Sequence, residues 1–217
     1  MSNTDGTVAE RFARLKGYYL VIGAKYVRGA TLKDLAAQLY RLEGNALLDA
    51  GREWIRLKRE HLLPHIARLE DRMLAVAGTH WPSVKPEDFV PHLPRLEGDA
   101  LVYAGRHWKG LSQEILAPHF ERLSWGDDLV RAGETWTHLG REELVASLGR
   151  LDGLYLVAAG SMWPHLTRED LTPHLDRLSP DLRQDAIASW TMISAEDGPL
   201  NEKAIDMSRK GVRHGQG

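Results

Sequence analysis

Apolar and polar positions recur along this chain with a long period that runs almost from end to end. An Arg-Leu pair closes each period, and its leucine returns every 27 residues, with a single interval of 28. The pairs are Arg14-Leu15, Arg41-Leu42, Arg68-Leu69, Arg95-Leu96, Arg122-Leu123, Arg150-Leu151 and Arg177-Leu178. Self-similarity at a fixed period of this length indicates tandem structural repeats.

Each period is predicted to contain two helices. In the first, apolar residues lie three apart, as in Leu47 with Ala50, and Asn45, Asp99 and Asp127 are the expected N-caps. The expected starts of the second helix are Thr31 with Asp34, Pro86, Ser112 with Glu114, and Thr167 with Asp170. A later Pro-His pair recurs at Pro64-His65, Pro91-His92, Pro118-His119 and Pro173-His174. Proline removes a backbone donor, so the second helix is expected to kink or split there.

Tryptophan follows three residues after a recurrent Ala-Gly in the first helix. The tryptophans are Trp54, Trp81, Trp108, Trp136 and Trp163, and Trp190 follows in a degenerate repeat. We expect them in the core, because they are in phase with the apolar residues of the same helix; an exposed row that stacks bases or sugars is the alternative. The glycine either allows close helix approach or ends the helix, and the sequence leaves both open.

The predicted fold class is all-α, with tandem helical hairpins of about 27 residues stacked as an α-solenoid. We divide the chain into an N-terminal segment at 1–13, a repeat domain at 14–204 and a disordered tail at 205–217. The repeats are 14–40, 41–67, 68–94, 95–121, 122–149, 150–176 and 177–204, and the first and last lose enough of the pattern to be capping repeats. This organisation resembles the α-solenoid proteins, nearest to leucine-rich-variant and HEAT-like repeats. The resemblance implies macromolecular binding on a concave face.

Composition narrows the class of protein. The apolar share of 43% and charged share of 27% are typical of globular domains. The chain has no cysteine, which removes thiolate metal sites and thiol nucleophiles. No apolar run is long enough to span a membrane and no secretory pattern opens the chain, so we expect a soluble, cytoplasmic protein that does not bind membranes. Nucleotide-binding and nucleophile motifs are absent from the sequence, and we expect no enzyme activity and no cofactor.

The positions between the glycine and the tryptophan differ in every repeat, and we call them the variable pairs. They are Arg52-Glu53, Thr79-His80, Arg106-His107, Glu134-Thr135 and Ser161-Met162. A constant repeat that presents variable residues is how solenoids recognise irregular partners. Their mixed charge favours a protein partner, so the leading hypothesis is a non-catalytic binding or scaffolding module. Free drift of exposed helix ends is the structural alternative.

A nucleic-acid reader is the first alternative function. Its phosphate contacts would come from the arginines of the Arg-Leu pairs, Arg41, Arg68, Arg95, Arg122, Arg150 and Arg177, and it requires them to be exposed on one face. The structural interpretation, which we favour, places these arginines near a helix C-terminus and pairs them with a glutamate of the second helix. The net charge of −2 points the same way.

Histidines and carboxylates give no strong signal for a metal or for catalysis. Equivalent histidines of neighbouring repeats are expected to be about 8–10 Å apart, too far to share one ion. His61 and His65, with Glu60, form the best local set, but Pro64 breaks the helical geometry that pairing needs. We therefore expect no metal site and a structural role for the Pro-His histidines. The second alternative function, an enzyme, predicts a deep pocket near 122–149.

Overall fold

The computed structural model describes residues 7–190, and this part of the chain is helical with no strand. The expected tail at 205–217 lies outside the described residues. The α-helices are α1 (Val8–Ala13), α2 (Gly17–Ala24), α3 (Leu32–Gln38), α4 (Gly44–Glu53), α5 (Arg59–Ile66), α6 (Asp71–His80), α7 (Gly98–His107), α8 (Gln113–Phe120), α9 (Gly126–Thr135), α10 (Arg141–Leu148), α11 (Gly153–Met162), α12 (Arg168–Leu171) and α13 (Pro180–Trp190). The all-α prediction is confirmed. The chain forms two compact units, Met1–Ile115 and Leu116–Gly217.

The first helices of successive repeats pack on one another within each unit. In unit 1, α2 packs on α4, α4 on α6 and α6 on α7. In unit 2, α9 packs on α11 and α11 on α13. Each of these pairs is one period apart in sequence, so neighbouring repeats bury the apolar stripe that a single repeat would leave exposed.

The second element of each repeat varies in its helix type. α5 keeps Pro64 inside an unbroken α-helix, and α8 does the same with Pro118. The segment with two further prolines instead forms 3-10 turns at Pro86–Asp88 and Val90–Arg95, and α12 gives way to a 3-10 turn at Thr172–Arg177. The expected split at proline is therefore found in some repeats and not in others. Pro86, Pro91 and Pro173 stand in the first two positions of their 3-10 turns, where the missing N–H costs no hydrogen bond.

The starts of the second elements follow the sequence prediction. Thr31 caps α3 and forms a capping box with Asp34, and Thr167 does the same for α12 with Asp170. Pro86 is the first residue of its 3-10 turn. Each hydroxyl satisfies a backbone N–H that the first turn of a helix leaves without a partner.

The first helices begin earlier than the sequence predicted. The N-cap of α4 is Glu43 and not Asn45, the N-cap of α7 is Glu97, and the N-cap of α9 is Trp125. At α4 and α7 the reason is visible at Gly44 and Gly98, whose φ of 49° and 45° turn the chain into the helix through a left-handed conformation that glycine adopts without strain. The expected cap residues Asn45, Asp99 and Asp127 therefore lie inside the first turn.

The in-phase tryptophans are buried, which confirms the core prediction. Their exposed fractions lie between 1 and 4% in Trp54, Trp81, Trp108, Trp136, Trp163 and Trp190. Each stands at or next to the end of a first helix, where the Trp54 amide, for example, donates to the Ala50 carbonyl at 2.9 Å. The indole of each repeat thus fills the space between two first helices.

The recurrent glycine allows the close approach of that indole. A methyl carbon at Gly78 would overlap the ring of Trp108, 30 residues later, and the same holds for Gly51 under Trp81, Gly133 under Trp163 and Gly160 under Trp190. Gly78 lies inside α6, so it does not end the helix. Of the two roles that the sequence left open, close approach is the one found.

Residues 7–13 form a helix that the sequence did not predict. α1 begins with a capping box between Thr7 and Glu10, and its Phe12 is 1% exposed. α1 packs on α3 of the first repeat. A segment assigned to no repeat therefore covers apolar surface in unit 1.

Candidate protein-interaction surface

The variable pairs occupy the C-terminal ends of the first helices, and none of their side chains is buried. Exposed members are Arg52, Thr79, His80, Arg106, His107, Glu134, Ser161 and Met162, and Glu53 and Thr135 are half-buried. The tryptophan that follows each pair is buried. The same helix end therefore points one constant residue into the core and two variable residues outward.

In unit 1 the variable pair of α4 joins an ion-pair network with the helix before it. The Lys25 ammonium lies 2.6 Å from Glu53 Oε2, and the Arg52 guanidinium lies 3.3 Å from both Glu53 and Asp49. The hydrogen bond and the charge of Lys25 hold the pKa of Glu53 below its ordinary value. These groups are about half exposed, so the network sets a charge pattern more than it stabilises the fold.

A cleft of about 230 Å³ lies beside this network, between α2 and α4. Tyr18, Val21 and Ile22 line it on α2, and Asp49 and the charged network complete it. Four of its seven lining residues are charged, so the cleft is suited to hold a polar or charged side chain of a bound peptide.

The next two variable pairs of unit 1 are cationic and aromatic in character. The ring of His107 lies 4.3 Å from that of Tyr103, centroid to centroid. Partial burial, the Arg106 charge and His80 together lower the pKa of His107 below its ordinary value, so His80 of the preceding pair is close enough to affect it. These two pairs lie on α6 and α7, which pack on each other.

In unit 2 the variable pairs are less charged. The hydroxyl of Thr135 donates to the Arg131 carbonyl at 2.7 Å, and that of Ser161 donates to the Val157 carbonyl at 3.0 Å. Both hydroxyls therefore bond within their own helix. Met162 is 37% exposed and Glu134 carries the charge of these two pairs.

Five of the arginines of the Arg-Leu pairs donate to backbone carbonyls around the preceding Arg-Leu pair, 26 to 30 residues earlier. Arg68 donates to the carbonyls of Leu39 at 3.0 Å and Leu42 at 2.6 Å, and Arg41 donates to those of Phe12 at 3.0 Å and Leu15 at 2.8 Å. Arg95 reaches Leu69, Arg150 reaches Phe120 and Leu123, and Arg177 reaches Leu148, Gly149 and Leu151. The arginines lie near a helix end, as predicted. The prediction of a glutamate partner is wrong: their partners are backbone carbonyls, because the carbonyls at the end of a helix lack helical donors.

Each Pro-His histidine accepts a hydrogen bond from one of these arginines. The Nη1–Nδ1 distance is 2.8 Å from Arg68 to His65 and 2.9 Å from Arg122 to His119, and the same contact joins Arg95 to His92 and Arg177 to His174. Because a guanidinium only donates, Nδ1 is the acceptor and neutral histidine carries its proton on Nε2. Burial first, and the arginine charge second, lower the pKa of His65. We predicted a structural role in which the imidazole caps backbone groups at the proline; its Nδ1 instead contacts an arginine side chain.

The arginines of the nucleic-acid alternative are therefore exposed along much of their length but bonded at the head group. Arg41, Arg95, Arg122, Arg150 and Arg177 are exposed as whole residues and Arg68 is half-buried. A guanidinium that donates to two or three carbonyls has few N–H groups left for a phosphate, since it has five in all.

Histidines and carboxylates do not gather into a metal site in the described part of the chain. Across residues 7–190 no three such side chains come within reach of one ion. In the set of His61 and His65 with Glu60, Nδ1 of His61 accepts a hydrogen bond from the Lys58 amide at 3.1 Å, and Nδ1 of His65 is hydrogen-bonded to Arg68. These two nitrogens are therefore engaged in hydrogen bonds and do not face a common ion. The cleft described above lies in unit 1, and a catalytic pocket near 122–149 stays a prediction.

Sequence reasoning missed a seventh tryptophan. Trp125 is out of phase with the other six and is 75% exposed. It lies where the repeat interval lengthens to 28, and that mismatch is the signal that could have identified it. Tyr18, Ile22 and Asp49 of the cleft were missed too, because only the packing of α2 on α4 brings them to the variable pair.

Comparisons of the chain with protein families, curated proteins and solved structures find no match. Within residues 7–190, no helix is both long enough and apolar enough to cross a membrane.

Proposed function

We propose that the chain is an α-solenoid that binds a protein partner through its variable pairs and performs no catalysis. The observation that carries this proposal is the separation of roles at each first-helix end. The tryptophan is buried, and the two preceding residues are exposed or half-buried, in all five repeats that contain both the Ala-Gly and the tryptophan. Residues that the fold does not need, presented at a fixed spacing, form a surface that can be tuned to a partner.

The contacts between repeats support the solenoid arrangement. In unit 1 the Trp108 indole donates to a carbonyl 33 residues earlier and the Arg95 guanidinium to one 26 residues earlier, and in unit 2 Trp163 and Arg177 make the equivalent contacts, so neighbouring repeats within a unit are tied together. A chain of such nearest-neighbour contacts is the arrangement expected of a solenoid.

The pattern of charge favours a protein over a nucleic acid as the partner. In unit 1 the variable pairs combine Arg52 and Arg106 with Glu53, and Asp49 lies beside them. Carboxylates on the binding surface repel a phosphate backbone but suit the mixed charges of a protein surface. The carbonyl contacts of the Arg-Leu arginines weigh against the nucleic-acid alternative as well.

Photo-crosslinking tests this proposal directly. A photoreactive phenylalanine analogue replaces Arg106 in the full chain, and, as a matched control, replaces Glu121 in a separate preparation, since both side chains are exposed. Irradiation in the native cells is expected to yield a discrete, nuclease-resistant protein adduct from position 106 and not from position 121. A nuclease-sensitive adduct, or equal adducts from both positions, would contradict the proposal.

A further inference from the structure

The guanidinium of Arg68 joins two segments of the chain that lie one period apart. Its Nη1 lies 2.8 Å from Nδ1 of His65, three residues earlier, and donates to the carbonyl of Leu39, 29 residues earlier, at 3.0 Å. Its Nη2 donates to the Leu42 carbonyl at 2.6 Å. The imidazole and the distant carbonyl share one donor nitrogen, so a change at the imidazole acts on the contact between periods. We call the contacts around one such arginine a junction.

The same kind of junction forms at two more arginines. Arg95 contacts Nδ1 of His92 and the Leu69 carbonyl in unit 1, and Arg177 contacts Nδ1 of His174 and the carbonyls of Leu148 and Leu151 in unit 2. His65 is buried and the other two histidines are half-buried. Each imidazole is therefore held with the lone pair of Nδ1 toward its arginine.

Two junctions in the described part of the chain lack a histidine. At Arg41 the residue three positions earlier is Gln38, whose Oε1 accepts from Nη1, and the same nitrogen donates to the Phe12 carbonyl at 3.0 Å. At Arg150 that position is the buried Ser147, and Arg150 also donates to carbonyls one period earlier. Neither an amide oxygen nor a serine hydroxyl takes up a proton near neutral pH. The chain thus contains titratable and non-titratable junctions of similar geometry.

A proton on Nδ1 of His65 would turn its contact with Arg68 from attractive to repulsive. The nitrogen would lose its lone pair, and the imidazolium would place a second positive charge against the guanidinium. Because Nη1 also holds the Leu39 carbonyl, a guanidinium that moves away from the imidazolium weakens the contact between periods. The uncharged ring of Tyr40 packs on the edge of the imidazole, with 4.6 Å between centroids.

The charged group that acts on each imidazole is the arginine of its own junction. Burial first, and the arginine charge second, lower the pKa of His65, His92 and His174. A histidine in an opened junction loses both influences and binds a proton more readily than in the closed one.

We infer that mildly acidic solution opens the junctions at Arg68, Arg95 and Arg177 by protonating their histidines, and leaves the junctions at Arg41 and Arg150 closed. Opening is favoured by acid because only the open form binds the proton readily. The two junctions without histidine have no such proton to gain. The variable pairs take no part in these contacts, and the inference does not rest on the function proposed for them.

Linkage between protonation and opening sets the size and the sign of the effect. A histidine that has its ordinary pKa of 6.5 in the open form, and stays unprotonated in the closed form, raises the opening equilibrium by up to about thirtyfold between pH 7.5 and pH 5. Some protonation of the closed form lowers this gain, so we expect a rise of about fivefold to thirtyfold. Opening increases as the pH falls below 6.5 and levels off below the pKa of the closed form.

Hydrogen exchange followed by mass spectrometry tests the inference on the full wild-type chain. Protection factors at pH 7.5 and pH 5, each corrected for the intrinsic exchange rate, are compared between segments. At pH 5, protection should be lower by about fivefold or more in Arg59–Ile66, Val90–Arg95 and Thr172–Arg177, which contain the three histidines. It should change by less than about twofold in Leu32–Gln38 and Arg141–Leu148. An equal fall in all these segments, or no fall in the first three, would overturn the inference.

Exchanging the residue three positions before the arginine should transfer the pH response between junctions. His65→Gln copies the arrangement at Gln38 and should abolish the acid-induced loss of protection in α5, while Thr172–Arg177 keeps its loss. Gln38→His should give α3 a loss that the wild type lacks. The matched control is His80→Gln, which removes an exposed histidine of α6 and should leave the response of every segment unchanged.

Protection at pH 7.5 verifies that each variant is folded, and the wild-type comparison stands without the variants. If α5 of the His65→Gln chain still lost protection in acid, or if α3 of the Gln38→His chain stayed unresponsive, the histidines would not be the groups that open the junctions.

Discussion

The indole N–H of Trp108 donates a hydrogen bond to the carbonyl oxygen of Ala75 at 2.7 Å, across one repeat boundary in unit 1. Ala75 lies inside α6, three residues before Gly78. In an α-helix the side chain of residue i+3 lies next to the carbonyl of residue i. Because Gly78 has no Cβ, the carbonyl of Ala75 is accessible to the indole. The glycine of one repeat and the tryptophan of the next thus act together to pack their two first helices.

Replacing that glycine should therefore destabilise the fold although alanine favours helices. For Gly78→Ala we expect a net loss of about 1–3 kcal/mol in the free energy of unfolding, because the methyl group overlaps the Trp108 ring. The gain in helix propensity, about 1 kcal/mol, offsets part of the strain. Urea denaturation measures the difference.

Gly149→Ala is the matched control for that substitution. No atom lies within 4 Å of a Cβ built there, so this change should be neutral or slightly stabilising. Equal losses in the two variants would contradict the role assigned to Gly78.

Two tryptophans offer a second comparison. Trp108→Phe removes a buried hydrogen bond and leaves a small void, and we expect it to cost about 1–3 kcal/mol in the free energy of unfolding. Trp125→Phe changes an exposed ring and should stay within about 0.5 kcal/mol of the wild type. Thermal or urea unfolding followed by circular dichroism distinguishes them, and a similar effect at both positions would refute the buried assignment.

Arg68→Lys tests the carbonyl contacts between repeats. A lysine keeps the charge, but its single ammonium group cannot donate to the Leu39 and Leu42 carbonyls at once, as the two nitrogens of the guanidinium do. We therefore expect a loss of about 1–2 kcal/mol in the free energy of unfolding. The exposed Arg72→Lys serves as the control and should be nearly neutral. If Arg68 instead served only as a surface charge, the two variants would behave alike in urea unfolding.

Stability should fall as the pH is lowered below the ordinary pKa of histidine, near 6.5. Burial lowers the pKa of His65, so the unfolded chain binds a proton that the folded chain does not bind at the same pH. The loss begins as the pH falls below the unfolded value and levels off below the folded one. Protonation also removes the acceptor at Nδ1 and places a second positive charge against Arg68.

His65→Asn keeps an acceptor near Nδ1 but does not titrate. The difference in unfolding free energy between pH 7.5 and pH 5 should therefore be smaller in this variant than in the wild type. His92, His119 and His174 repeat the arrangement and keep part of the pH dependence. If the difference between pH 7.5 and pH 5 were the same in the variant as in the wild type, His65 would not contribute to the pH dependence of stability.

Much of this architecture follows from the periodic pattern. The burial of Trp54 follows from its phase with Leu47 and Ala50, and the start of α3 follows from Thr31 and Asp34, because both signals are local and regular. These features depend on residues within one repeat.

Contacts between repeats are harder to foresee. That Gly78 receives Trp108, or that Arg68 reaches Leu42, depends on the offset between neighbouring helices, and a period alone does not give that offset. The early start of α4 was missed because Asn45 is a better cap by residue type than Glu43, whereas the left-handed turn at Gly44 decides the geometry. The cleft at Asp49 could not be predicted for the same reason, since it forms only where α2 packs on α4.

In the proposed function the variable pairs serve binding and not folding. The most direct measurement replaces all ten residues of the pairs with alanine or serine and follows both the unfolding free energy and partner capture from the native cells, with and without nuclease. We predict that unfolding stays close to that of the wild type while a nuclease-resistant protein partner is lost. A variant that unfolds, or one that captures the same partner as before, would contradict the account.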